Sequence, residues 1–123
     1  DAVGVTGFCM GGMLALLIAA AEGDRVAAVA PFYGAPLGEG APDWSGLTAA
    51  VEGHLAANDD FFPSEAITVL GDDLREAGRD VVFHVYEGTG HGFANEENPL
   101  GTWDEAAAAT AWGRTVEFLR SHL

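Results

Sequence analysis

The hexapeptide Gly7-Phe8-Cys9-Met10-Gly11-Gly12 constrains this chain more than any other feature. It lies between a short apolar stretch, Ala2 to Thr6, and an apolar run from Met13 to Ala21. The pattern is glycine, any residue, nucleophile, any residue, glycine, with cysteine at the nucleophile position. A strand that turns sharply into a helix brings backbone so close that a Cβ on the flanking residues would collide, and glycine removes it. Cys9 then projects over the N-terminus of the following helix, at the top of a parallel sheet. Unpaired N–H groups and the positive end of the helix dipole favour an anion there, including a thiolate. Taken alone, glycines around a cysteine also suit a closely packed, buried thiol. The rest of the chain separates the two readings.

Downstream, short apolar runs alternate with helical patterns. Residues 2–6 read as a buried strand and residues 10–22 as a helix apolar on nearly every face, expected to be covered on several sides. Glu22-Gly23-Asp24 stops that helix. Val26 to Tyr33 is a continuous apolar run of strand length, as a sheet buried on both faces requires. Residues 34–46 form a loop by composition, and a third strand covers about 49–56. Pro63 opens a helix that runs to Ala77-Gly78. From Asp80 to Glu87, Val81, Phe83 and Val85 alternate with Val82, His84 and Tyr86, the period of a strand. A glycine-rich loop over 88–101 precedes a last amphipathic helix from about Trp103 to Leu119. The order β-α-β-β-α-β-α predicts an α/β fold, a parallel sheet with helices on both faces, and residues 1–123 read as a single domain.

The longest apolar runs fall short of a membrane-spanning helix. Nineteen acidic residues against five basic ones, a formal charge of −14, argue against nucleic acid and against anionic membrane surfaces, which both need a cationic footprint. A single cysteine excludes an internal disulfide and fits a reducing cytoplasm. One cysteine and four scattered histidines have none of the spacings of a zinc cluster, and the resemblance given below implies no metal and no organic cofactor.

A cysteine nucleophile needs a base, and the base needs an orienting group. His122 lies in the terminal tail, His84 sits within a strand, and His54 lies near the end of another. His91, in Gly88-Thr89-Gly90-His91-Gly92-Phe93, directly follows a strand and so belongs at the carboxyl edge of the sheet, where Cys9 also sits. The acid should leave a strand end too. Ala57-Asn58-Asp59-Asp60-Phe61-Phe62-Pro63 meets that demand, with Asp59 and Asp60 competing for the role or serving only as caps of the helix at Pro63. Nucleophile, acid, histidine is the chain order of the α/β-hydrolases.

The hexapeptide, Phe32-Tyr33-Gly34, Asn58-Asp59-Asp60-Phe61-Phe62-Pro63 and Tyr86-Glu87-Gly88-Thr89-Gly90-His91-Gly92-Phe93 together resemble the dienelactone hydrolase family of α/β-hydrolases. The likeness spans the whole chain and ends in the helix carrying Trp112, Arg114, Thr115, Phe118 and Leu119. It implies a Cys9-His91-Asp59 triad, with Asp60 on a variable position. It also implies hydrolysis of a small-molecule ester or lactone through an acyl-enzyme, with Tyr33 near the active site. The Met10 N–H would help to hold the oxyanion. In the dienelactone enzymes an arginine that binds the substrate carboxylate follows the histidine; here Asn95 stands in that region. The resemblance covers the family's C-terminal half only. The early strands, the loop with the second oxyanion donor, a glutamate near the cysteine and another arginine are expected from an upstream segment, or a second chain must complete the sheet. Two rival readings are a general carboxylesterase or thioesterase on the same scaffold, and a truncated, non-catalytic half-domain.

Overall fold

Each strand but the second is followed by a helix that carries the chain back, so every new strand lies beside the previous one and runs parallel to it. The computed structural model describes residues 1–123. Four strands, β1 (Val3–Phe8), β2 (Val26–Phe32), β3 (Ala50–Asn58) and β4 (Val81–Gly90), form one parallel sheet in the order β1-β2-β3-β4. The helices are α1 (Met10–Glu22), α2 (Ser64–Glu76) and α3 (Glu105–His122). The α/β architecture is the one the alternating pattern predicts.

Two apolar clusters sandwich the sheet. On one face, Leu16 and Ala19 of α1 and Ile67 and Leu74 of α2 pack on Val29, Val51, Leu55 and Val81. On the other, Phe32, Tyr33, Tyr86 and Phe93 pack with Ala111 of α3. Because β2 is enclosed on both faces, six of its seven residues are buried, which is why its sequence is an unbroken apolar run. Gly53 and Gly71 leave room for the Phe83 ring: a Cβ at Gly71 would sit 2.7 Å from Phe83 Cδ2.

The helix boundaries follow from their caps. α1 ends at Gly23, whose φ of 56° is a left-handed conformation that costs glycine little, and its N–H bonds Ala19 O. α3 starts at Glu105 rather than Trp103 because Asp104 Oδ1 accepts the Ala107 N–H at 3.0 Å. β4 runs past the expected end at Glu87 to Gly90, which pairs with Asn58 after a shift of register.

Cover over α1 is one-sided, although so apolar a helix calls for cover on several sides. Ala15, Leu16, Ala19 and Ala20 are buried, whereas Met10, Leu14 and Ile18 are exposed along one flank. They adjoin β1, the sheet's first edge, whose outer side has no partner strand and whose residues are mostly exposed. Across the sheet, Trp112 and Val116 of α3 and the following Leu123 are exposed as well.

Candidate active site

In a parallel sheet all strands end on the same edge, so residues just past those ends gather there however distant in sequence. Cys9 follows β1, Tyr33 follows β2, Asp59 follows β3 and His91 follows β4. Cys9 is held at φ 60° and ψ −124°, a conformation side chains rarely adopt. It persists because the surrounding backbone determines it. The Cys9 N–H bonds Phe32 O at 3.0 Å, and Cys9 O receives the N–H groups of Gly12 and Met13 at 3.0 and 3.3 Å. The glycines make the turn sterically feasible: a Cβ at Gly7 would overlap Gly11 O, and one at Gly34 would overlap Cys9 O.

Cys9 Sγ lies 2.8 Å from His91 Nε2. His91 Nδ1 lies 2.8 Å from Asp59 Oδ2, and the two side chains are 8% and 1% exposed. The other carboxylate oxygen, Asp59 Oδ1, accepts the N–H groups of Phe61 and Phe62, each at 2.8 Å. That pair of hydrogen bonds from the backbone orients Asp59 towards the imidazole. Since Asp59 accepts a hydrogen bond from Nδ1–H, Nε2 is left as the acceptor facing the thiol. Asp60 is exposed and bonds nothing in the site. The structure therefore brings Cys9, His91 and Asp59 into one hydrogen-bonded array and leaves Asp60 out of it.

Burial pushes the Cys9 thiol up from its ordinary value, the Asp59 carboxylate adds to the rise, and the Met10 N–H pulls the other way. Burial thus outweighs the helix N-terminus that suggests a thiolate. Met10 itself, first residue of α1, turns its backbone N–H to the sulfur while its side chain is exposed.

Tyr33 is buried at φ 37°, with its ring edge-on to His91 at 5.0 Å and to Phe93 at 5.4 Å. Burial, with the nearby Cys9 sulfur, pushes its phenol up to about 12, so it stays protonated. Asn95 is exposed at the rim. Beside Cys9 opens a cleft of about 330 Å³ lined by Phe8, Cys9, Tyr33, Gly92, Ala94, Asn95, Pro99, Leu100 and Trp112. Sequence reasoning did not assign Phe8, Leu100 or Trp112 to the site. It also missed that Phe61 and Phe62 flank the imidazole at 4.8 and 5.9 Å. Their position directly after the acid was a usable signal.

The remaining histidines lie elsewhere. His54 is fully buried beneath α3: its Nδ1 lies 2.9 Å from the Tyr86 hydroxyl and its Nε2 3.0 Å from Thr115 Oγ1. Thr115 donates to Ala111 O at 2.8 Å, so Nε2 must carry the proton and Tyr86 must donate to Nδ1. Arg114 in turn donates to the Tyr86 oxygen at 3.1 Å. Burial, His84 and Arg114 hold His54 down at about 3, hence neutral. His84 stacks on it at 5.6 Å, and His122 caps the end of α3 on Phe118 O.

Among proteins of known family, the model for the dienelactone hydrolase family matches residues 1–123. A carboxymethylenebutenolidase of Rhodococcus opacus is 37% identical over 131 residues, covering 98% of this chain and 50% of that protein. Protein usf of Aquifex pyrophilus is 34% identical over 121 residues, covering 98% and 52%. A Klebsiella pneumoniae crystal structure, provisionally named a dienelactone hydrolase, superposes with a TM-score of 0.83 at 27% identity, covering 95% of this chain and 51% of that one. The chain spans about half the length of the relatives it matches.

Proposed function

The chain belongs to the dienelactone hydrolase family, and from that premise we propose that the protein hydrolyses a small-molecule ester or lactone through a Cys9-His91-Asp59 triad. The observation that carries this reading is the array itself, Sγ to Nε2 and Nδ1 to carboxylate both at 2.8 Å. On this reading His91 Nε2 takes the thiol proton as Sγ bonds the carbonyl carbon, and Asp59 stabilises the imidazolium that forms. The Met10 N–H faces the developing oxyanion. As the tetrahedral intermediate collapses, the C–O bond to the leaving group breaks and His91 returns the proton to the departing oxygen. Water, deprotonated by the same imidazole, then attacks the thioester, and its collapse gives the acid and regenerates the thiol. Tyr33 and Asn95 contact the substrate. No metal and no organic cofactor enters any step.

A complete site requires more than these residues. β1 has no partner on its outer side, and one oxyanion donor is a weak hole. We therefore assign to the whole protein a further segment, or a second chain, that pairs with β1 and brings a second donor. Residues 1–123 form a single domain within that assembly. Since the mechanism needs a reduced thiol, the reading places the protein in the cytoplasm; no helix is long and apolar enough to cross a membrane.

The test is intact-mass detection of an acyl adduct on Cys9 during turnover of a lactone, an aryl ester and an acyl thioester. The ranking of the three separates a lactonase of dienelactone hydrolase type from a general carboxylesterase or thioesterase. Lack of any adduct on Cys9 with all three would support the non-catalytic half-domain and end the hydrolase reading.

A further inference from the structure

Resting on that hydrolase reading, we infer that the Tyr33 phenol is a further catalytic group, donating a hydrogen bond to the oxygen that leaves the substrate while His91 protonates it. The backbone gives the first reason. Tyr33 is held at φ 37°, in the left-handed region where a bulky side chain is strained. The fold maintains that strain. The Tyr33 N–H bonds His54 O at 2.7 Å, and Gly34 lies so close to Cys9 O that a Cβ there would overlap it. Strain kept in place beside a reactive group points to a use for the side chain. Here it carries the ring edge-on against His91 at 5.0 Å and into the wall of the cleft next to Cys9.

The hydroxyl is fixed as a donor. The Ala94 N–H bonds the phenol oxygen, and a backbone N–H can only donate, so the phenol's own proton is left for a ligand. Burial first, then the Cys9 sulfur and the Asp59 carboxylate, keep that proton in place, with the phenol pushed up to about 12. Strand order says which oxygen it meets. Met10 begins α1 just past β1, and its N–H faces the oxyanion. Tyr33 leaves β2, on the side of Cys9 from which Asp59 and His91 also come. The leaving oxygen has to lie within reach of His91 Nε2, and the Tyr33 ring packs on that imidazole.

A sulfur nucleophile makes the donor useful. The tetrahedral intermediate can expel either the Cys9 thiolate or the leaving oxygen, and the less basic group goes more readily. An alkoxide loses that competition unless it is stabilised as the C–O bond breaks. His91 supplies the proton, the electron pair of the C–O bond stays on the oxygen, and Tyr33 holds that oxygen without giving up its own proton. The more basic the oxygen, the more its departure depends on Tyr33.

The test is leaving-group dependence in the whole protein. kcat/KM is measured for phenyl acetate and p-nitrophenyl acetate, while intact mass follows acetylation of Cys9. Phenoxide is the more basic of the two leaving groups. Tyr33→Phe should therefore lower kcat/KM about tenfold or more for phenyl acetate and about threefold or less for p-nitrophenyl acetate. Taking the ratio within each protein cancels a general loss of folding or binding. 3-Fluorotyrosine in place of Tyr33 keeps the hydroxyl, makes it a stronger donor and should move the ratio the opposite way. If Tyr33→Phe does not fold, the fluorinated protein decides alone. Equal losses on the two esters, or a ratio that fluorination leaves unmoved, overturn the inference, while an acetyl adduct on Cys9 upholds the hydrolase reading. If neither ester ever acetylates Cys9, that reading fails and the inference falls with it.

Discussion

Asp59 faces two ways: Oδ2 lies 2.8 Å from His91 Nδ1, while Oδ1 receives two backbone N–H groups of the loop that follows. An amide at this position cannot satisfy both sets: with its oxygen on the backbone N–H groups, its NH₂ faces Nδ1. Asp59→Asn should therefore lower kcat by about 10³- to 10⁴-fold through the wrong histidine tautomer. Asp60→Asn should change it less than about twofold, since that side chain bonds nothing in the site. Steady-state kinetics of both variants check this, and equal losses would reverse the assignment of the acid.

The thiol carries its own pH signature. Burial first, and Asp59 second, hold Cys9 above the ordinary 9.0 of a thiol. The raised value favours the neutral form, so thiolate accumulates only as pH rises past that range. The rate of iodoacetamide alkylation should climb through it and should not plateau near neutrality. Asp59→Asn removes one of the two causes and should move the midpoint down. Alkylation should abolish turnover in step with modification of Cys9, and Cys9→Ala should cost several orders of magnitude.

Beneath α3, His54 links pH to stability. Unfolded, it binds a proton near 6.5; folded, burial and its cationic neighbours delay this to about 3. Between those values the unfolded state holds more protons, so stability falls as pH falls, at up to about 1.4 kcal/mol per unit. Urea unfolding at pH 7, 5 and 4 should show this decline, and His54→Gln should flatten it. Tyr86→Phe leaves Nδ1 without its donor and should cost about 1–3 kcal/mol at neutral pH.

At the sheet's open edge, residues 1–123 expressed alone should self-associate and hydrolyse esters poorly. The outer side of β1 lies between the exposed flank of α1, with Leu14 and Ile18, and that of α3, with Trp112 and Val116. An unpaired apolar edge of this kind templates strand addition. A single missing oxyanion donor costs on the order of 10²- to 10³-fold in rate. Val3→Lys, which charges a position 55% exposed, should suppress association in size-exclusion chromatography without restoring activity. A monodisperse and fully active fragment would show that β1 needs no partner.

What the sequence disclosed was whatever depends on neighbours along the chain. The Gly7 to Gly12 turn, the apolar run of β2 and the stop at Gly78 each follow from local sterics and burial. Strand ends were less legible because pairing sets them: β4 continues to Gly90 only because Asn58 lies opposite. For α1, composition gives the need for cover on several sides and not which side supplies it. The string Arg114, Tyr86, His54, Thr115 was invisible, its members lying on three elements with no spacing to tie them together. Tyr33 was placed near the site by resemblance, yet nothing local announces its left-handed backbone, which Gly34 makes room for by lying against Cys9 O.

β1 and β4 stand three strand spacings apart, on the order of 14 Å, yet the sulfur at the end of one and the imidazole at the end of the other meet at 2.8 Å. The two groups reach across the whole width of the sheet, over the ends of β2 and β3. Small displacements in the intervening strands accumulate at the margins, so the Cys9–His91 gap acts as an alignment gauge for the sheet. Slack too slight to register as lost helix or exposed core would still open that gap. Catalysis should consequently be the first property to fade under mild denaturant, while circular dichroism remains native.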